Sequence, residues 1–349
     1  MNTTVNDVSP NGSGPDHPAP DGEVPALEAV SLNKDFRLGR GQVLHAVRDV
    51  SFGLHSGRVV ALVGESGSGK STAARMLAGQ ERPTSGTIKL AGEPIHVSSQ
   101  HAFRQYKSQV QYVFQDPFAS LNPVHTVRYI LERPVRLHQK GNDVNAELDR
   151  VMEQVRLTPA RDFLAKYPHE LSGGQRQRVS FARGLAARPS VLLADEPISM
   201  LDVSIRLEML ALLDDLRRRL RLALLYITHD IASARYFADD VLVMYAGEIV
   251  ERGPAEEVTQ QPRHPYTQLL IASAPDPDNL GSTLRMGSTA RRDTSAMGPS
   301  ATGCPFNPRC PLADDKCRRE RPVLTQLSAS RAAACWRLDE TSAGITTLP

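Results

Sequence analysis

Val59-Val60-Ala61-Leu62-Val63 is an unbroken apolar run, and Gly64-Glu65-Ser66-Gly67-Ser68-Gly69-Lys70-Ser71 follows it directly, opening a helical pattern over Lys70 to Ala78. An apolar run, a glycine-rich turn and a helix start in immediate succession predict a buried strand, a tight loop and a helix N-terminus. That order restricts the fold to α/β and gives the loop a chemistry. Glycines let backbone N–H groups converge on phosphate oxygens, the helix start adds positive potential, Lys70 reaches the terminal phosphates, and Ser71 offers a hydroxyl to Mg2+. Gly64, Ser66, Gly67, Gly69, Lys70, Ser71 and Thr72 are the expected phosphate-binding set.

Other segments supply what such a loop lacks. Val191-Leu192-Leu193-Ala194-Asp195-Glu196 is an apolar strand ending in two carboxylates, at the sheet edge where open α/β sheets bind ligands. Asp195 is expected on the Mg2+ side, and Glu196 is placed to orient or deprotonate an attacking water. Ile227-Thr228-His229-Asp230 brings His229 to the same edge, within reach of the γ-phosphate or the water. Gln115, after Val113-Phe114, can contact Mg2+ and water through an uncharged amide. Leu171-Ser172-Gly173-Gly174-Gln175 is a second glycine-rich helix start, about a hundred residues from the first. One phosphate chain rarely needs two cradles from one protomer, so Ser172, Gly174 and Gln175 are expected to close over nucleotide held by a second copy facing head to tail.

The rest of the 349 residues is read around these elements. Met1 to Ala26 has five prolines, four acidic residues and no Lys or Arg, which predicts a disordered tail. Leu27 to Gly57 carries short β-type runs and predicts an antiparallel β subdomain. Tyr106 to Pro189 reads as mainly helical, with a helical subdomain at about 116–188. Strands at Val191–Ala194 and Ala223–Ile227, with a helix between, imply a mostly parallel core sheet. Val241–Met244, Ala246-Gly247 and Glu248–Val250 read as a hairpin. Pro275 to Gly303 reads as a linker. The formal charge of +2 gives no reason to expect nucleic acid, and no apolar run approaches the roughly 18–20 residues of a membrane span. With no signal-type N-terminus, a cytoplasmic protein is expected.

The phosphate loop, Gln115, Leu171-Ser172-Gly173-Gly174-Gln175, Asp195-Glu196 and His229 stand in the order and spacing of the ATP-binding-cassette (ABC) family, which Leu27 to Gly253 resembles. The resemblance implies ATP hydrolysis in a sandwich of two cassettes. It places Phe36, with Val47 nearby, against adenine. Ser199-Met200-Leu201-Asp202 is similar to the loop that crosses the cassette interface at Asp202, with Met200 where alanine is common. His264-Pro265-Tyr266-Thr267, the segment from Gly303 and Gln115-Asp116-Pro117-Phe118-Ala119-Ser120-Leu121-Asn122-Pro123 resemble oligopeptide/dipeptide importer ATPases. The implied division is an ATPase domain at 27–258 and a C-terminal extension at 259–349. The implied assembly has a second ATPase subunit, identical or paralogous, two permeases and an extracytoplasmic solute receptor, with this chain peripheral on the cytoplasmic membrane face. Peptides are the implied solute, with nickel or sugars as alternatives. A soluble cassette acting in DNA repair or on the ribosome is disfavoured, because neither a long coiled coil nor a second cassette is present.

Cys304, Cys310, Cys317 and Cys335 are the only cysteines, and all fall in the extension. Their spacing, Cys-x5-Cys-x6-Cys-x17-Cys, misses the Cys-x2-Cys pairs common at structural zinc. Four thiolates can hold a [4Fe–4S] cluster, and the resemblance to importer ATPases carrying one favours that reading over zinc, free thiols or disulfides. Its expected role is to tie down an extension too small for its own core.

Overall fold

The computed structural model of the chain describes residues 23–38, 42–95, 99–116, 120–273 and 298–341. Most of the expected tail and linker, and residues 117–119 of the loop after Gln115, lie outside them. Among the described residues twelve strands run in chain order: β1 (Leu27–Leu38), β2 (Gln42–Leu54), β3 (Val59–Val63), β4 (Ser85–Leu90), β5 (Glu93–Pro94), β6 (Val110–Val113), β7 (Val191–Asp195), β8 (Ala223–Thr228), β9 (Asp240–Tyr245), β10 (Glu248–Pro254), β11 (Thr325–Gln326) and β12 (Ala332–Ala333). They form a four-stranded sheet, β2-β1-β4-β5, and an eight-stranded one, β11-β12-β10-β9-β3-β8-β7-β6.

β3 lies between β8 and β9, parallel to both, and every one of its residues is buried. Val59, Ala61 and Val63 join the core shared with the helical subdomain, while Val60 and Leu62 join the core beneath β1, β2 and the helix Lys70–Leu77. Burial on both faces explains why this strand is apolar at every position rather than at alternate ones. Helices Val127–His138, Val144–Gln154 and Gly173–Leu185 form the helical subdomain, burying Leu131, Leu148, Val151 and Phe181.

Two sequence expectations change. Val110–Val113, inside the stretch read as mainly helical, is the edge strand of the eight-stranded sheet, parallel to β7. Its four residues, Val-Gln-Tyr-Val, are too few for an alternating pattern to stand apart from a helical one. The short β-type runs expected between Leu27 and Gly57 are longer here: Gln42–Leu54 is one strand, in which Asp49 takes a left-handed φ of 47°. The hairpin is as expected, with Ala246 (φ 49°) and Gly247 (φ 89°) both left-handed between β9 and β10. That pair of signs is the one a tight two-residue hairpin requires.

The extension packs onto the cassette through more than its cysteines. β12 pairs antiparallel with both β10 and β11, lengthening the main sheet at its edge. Phe306 packs against Tyr245 and Tyr266, with ring centroids 5.4 and 5.5 Å away. Cys304 and Cys317 belong to the same hydrophobic cluster as the cassette. These partners are far apart in sequence, so periodicity gave no sign of them. Beside them, fully buried Glu251 pairs with Arg331 at 3.0 Å and accepts the backbone N–H groups of Arg263 and His264, each at 2.8 Å. An ion pair this deep holds only because the carboxylate's remaining lone pairs are also satisfied.

His264 is also buried, and its Nδ1 accepts the Tyr266 N–H at 3.0 Å. Burial disfavours the imidazolium and pushes the pKa down from 6.5 to about 3. The unfolded chain therefore takes up a proton below pH 6.5 that the folded chain refuses until about pH 3, so stability is full above 6.5 and falls with pH across that window. The loss approaches about 1.4 kcal/mol per pH unit at most. His264→Asn, which keeps an acceptor for Tyr266 but cannot titrate, should give a flatter dependence of melting temperature on pH between 7 and 5 than the wild-type chain.

Candidate functional site

A cleft of about 830 Å3 opens where the antiparallel sheet meets the phosphate loop. Phe36, His45 and Arg48 form its upper wall, Gly67, Gly69, Lys70, Ser71 and Thr72 its floor, and Gln115 and Glu196 its far end. The loop's course is set by close backbone approaches. Gly69 caps the helix at φ 104°, and a Cβ there would lie 2.3 Å from the Ala46 carbonyl oxygen. At Gly64 a Cβ would lie 2.2 Å from the Met244 carbonyl oxygen. No other residue type fits either position without moving β2 or β9. The Gly247 N–H donates to the Ser68 carbonyl at 2.9 Å, tying the loop to the β9–β10 turn.

Lys70 is 5% exposed, and its ammonium donates to the carbonyls of Gly64 (2.7 Å) and Glu65 (2.9 Å). Burial lowers its pKa, opposed by the nearby carboxylates of Glu196, Asp195 and Glu65. At the end of β7 the two carboxylates separate. Asp195 Oδ1 accepts the Ser71 hydroxyl at 3.2 Å, so two hard oxygen donors meet, the donor type that Mg2+ selects. Glu196 leaves the strand at φ 44°, its N–H donating to the Ile227 carbonyl at 2.9 Å, which turns its side chain into the cleft. There Oε2 accepts the Gln115 amide at 2.9 Å and Oε1 meets His229 Nδ1 at 3.1 Å. Two residues from separate sheet-edge loops thus converge on the Glu196 carboxylate, and the His229 side chain keeps 59% exposure.

Other expected residues lie elsewhere. Val47 is fully buried in the core and does not line the cleft. Ser172 caps its own helix, its hydroxyl accepting the Gln175 N–H at 3.3 Å while the Gln175 side chain accepts the Ser172 N–H at 3.0 Å. Gly174 packs against Ile205, where a Cβ would approach Cγ2 to 3.0 Å. Asp202 caps the helix Val203–Leu220 through the Ile205 N–H at 3.0 Å, and Met200 is exposed. None of Ser172, Gly174, Gln175, Met200 and Asp202 lines the cleft of its own chain.

The four cysteines are free thiols. Burial pushes the Cys304 thiol up to about 11 and the Cys310 thiol up to about 12, and nearby thiols, Cys335 among them, add to both shifts. Among the described residues no group of three or more His, Cys, Asp or Glu is arranged to hold a metal ion, so the expected [4Fe–4S] ligand set is not assembled in this arrangement.

Sequence reasoning missed Tyr112, whose hydroxyl donates to Asp195 Oδ2 at 2.5 Å and whose own pKa is raised by burial and that carboxylate. Recognising Val110–Val113 as the strand beside β7 would have placed it. It also missed Pro299, Ser300, Ala301 and Pro305 of the extension, which complete the cleft.

Two family descriptions match the chain: "ABC transporter" over residues 47–199, and "Oligopeptide/dipeptide transporter, C-terminal region" over residues 250–317. The di/tripeptide transport ATP-binding protein DppF of Pseudomonas aeruginosa is 40% identical over 323 residues, covering 90% of this chain and 98% of that protein. The chain belongs to the ABC transporter family. The dipeptide transport ATP-binding protein DppF of Haemophilus influenzae is 38% identical over 330 residues, covering 90% and 97% of the two chains. Among solved structures, the dimeric cassette MJ0796 in a post-hydrolysis state with ADP and phosphate superimposes with a TM-score of 0.59 at 26% identity, covering 66% of this chain and 98% of that one. The ABC ATPase fold and activity accordingly apply to this chain.

Tyr112→Phe removes one donor from Asp195 and leaves the carboxylate less fixed. Titration of ATPase activity with Mg2+ should show about a tenfold rise in the half-saturating concentration, the scale seen when a metal ligand loses its outer partner.

Proposed function

We propose that the chain is the ATP-hydrolysing subunit of a peptide importer, peripheral on the cytoplasmic face of the membrane and coupled to two permease subunits supplied by an extracytoplasmic receptor. The observation that carries the catalytic part is Glu196 held between Gln115 and His229 at the end of β7. The peptide assignment rests on the C-terminal region match and on relatives named for di- and tripeptide transport. Among the described residues no helix is long and apolar enough to cross a membrane, so permeation would belong to other subunits.

In this reading the backbone of Gly67 and Gly69, together with Lys70 and Thr72, holds the triphosphate over the helix N-terminus, and Phe36 stacks on adenine. Ser71, Asp195 and Gln115 would hold Mg2+, which when bound neutralises charge on the phosphate oxygens. Glu196 takes the proton of a water it orients, His229 steadies the Glu196 carboxylate, and Gln115 fixes its other oxygen. Ser172, Gly174 and Gln175, turned away from their own cleft, cover nucleotide held by a facing cassette, and Asp202 lies at that seam. Closure of the pair on ATP would move the permeases through the loop after Gln115.

A [4Fe–4S] cluster on Cys304, Cys310, Cys317 and Cys335 would require these four to draw together from the arrangement described above, in which, among the described residues, no group of three is set to hold a metal. What supports it is four thiols within electrostatic reach of one another in one small module. Ligation requires thiolates, which burial alone opposes here and which a bound cluster's charge would favour. Anaerobically purified chain should hold about four iron and four sulfide per protomer by chemical assay. Absence of both iron and sulfide would leave the module as thiols.

Glu196→Gln preserves shape and removes the base. ATP turnover should fall about a hundred- to a thousandfold while ATP affinity stays within about twofold. Wild-type turnover in that variant would contradict the assigned role. Co-purification with two multi-spanning subunits, and stimulation of ATPase by peptide-loaded receptor rather than by nickel or sugar, tests the transport reading.

A further inference from the structure

The extension reaches the phosphate loop itself. The Arg309 guanidinium, in the segment between Cys304 and Cys310, donates two hydrogen bonds to the Glu65 carboxylate, Nη1 to Oε2 and Nη2 to Oε1, each at 2.8 Å. Its side chain is 11% exposed and lies against the rings of Phe306 and Tyr245, 5.6 and 5.9 Å from their centroids. Glu65 is gripped at its backbone as well. Its N–H donates to the hydroxyl of buried Tyr266 at 2.8 Å, and its carbonyl accepts from Lys70 at 2.9 Å. Side chain, N–H and carbonyl of one loop residue are therefore all engaged, two of the three by residues from beyond the end of β10.

We infer that Arg309 is a positioning residue for ATP: it holds the phosphate loop through Glu65, and it cancels the carboxylate of the loop residue whose carbonyl holds the Lys70 ammonium. Bidentate guanidinium–carboxylate pairs fix geometry as well as charge, which a lysine at the same place cannot reproduce. Glu65 is the second residue of a loop that must attract four negative charges, and an unpaired anion there opposes binding. The aromatic shelf under Arg309 comes from the cassette (Tyr245) and the extension (Phe306) together, so the pair depends on the docked extension and adds a contact that the cassette alone lacks.

This rests on the ATP-binding reading, and mant-ATP binding by the unaltered full chain is the control that would fail if that reading were wrong. The test is mant-ATP titration and steady-state ATPase on the full chain carrying Arg309→Ala, Arg309→Lys, Glu65→Gln, or Arg309→Ala with Glu65→Gln. Arg309→Ala should raise Kd and KM for ATP about tenfold with kcat at saturating ATP within about twofold, and Arg309→Lys should raise Kd about threefold. Removing the carboxylate as well should return Kd to within about threefold of wild type, because the unpaired charge is then gone. The inference is overturned if Arg309→Ala binds as tightly as wild type, or if the double variant is as weak as Arg309→Ala. Should Arg309→Ala not fold, Arg309→Lys decides the matter: an unchanged Kd overturns the inference and a weakened one upholds it.

Discussion

The fold turns on how tightly the backbone between β3 and its helix is enclosed. Carbonyl oxygens of Ala46 and Met244 sit where side chains at Gly69 and Gly64 would be, so the loop is pressed between β2 on one side and β9 on the other. That confinement costs conformational entropy, and it is met by the burial of β3 on both faces in two separate hydrophobic clusters. With the loop fixed, its N–H groups converge without reorganisation when phosphate arrives, the condition under which electrostatic stabilisation is most effective.

The sheet distributes chemistry along the same edge. β3 ends in the phosphate loop, β7 in Asp195 and Glu196, β8 shortly before His229, and β6 shortly before Gln115. Parallel neighbours with matched registers bring four strand ends together, so residues more than a hundred positions apart share one cleft. The left-handed turn at Glu196 then separates the neighbouring carboxylates, one to Ser71 and Tyr112, the other to Gln115 and His229. Ser172 and Asp202 are spent on helix caps in their own chain and lie outside that cleft, which is the arrangement a two-cassette enclosure calls for.

Local pattern carried most of this. The apolar run of β3, the glycine spacing after it, the strand-end carboxylates and the hairpin at Ala246-Gly247 each have a signature a few residues long, and the structure has each element where its signature lies. What escaped was non-local or too short. Val110–Val113 gives too little period to separate strand from helix, and Tyr112 went unseen with it. Phe36 lines the cleft while Val47, nearby in sequence, is buried beneath it, because strand alternation decides which face each residue takes. The docking of the extension, through Phe306 on Tyr245 and Tyr266 and through β12 on β10, joins segments tens of residues apart and has no periodic trace.

In the proposed assembly ATP is enclosed by two cassettes, each giving its phosphate loop to one nucleotide and its Leu171–Gln175 loop to the other. The most direct measurement is a structure of the intact transporter carrying Glu196→Gln and trapped with Mg2+ and ATP. In that structure this chain's Lys70 should lie on the phosphates of one ATP and its Ser172 hydroxyl within hydrogen-bond distance of the ATP held by the facing cassette. Bound ATP with Ser172 left facing solvent would contradict it.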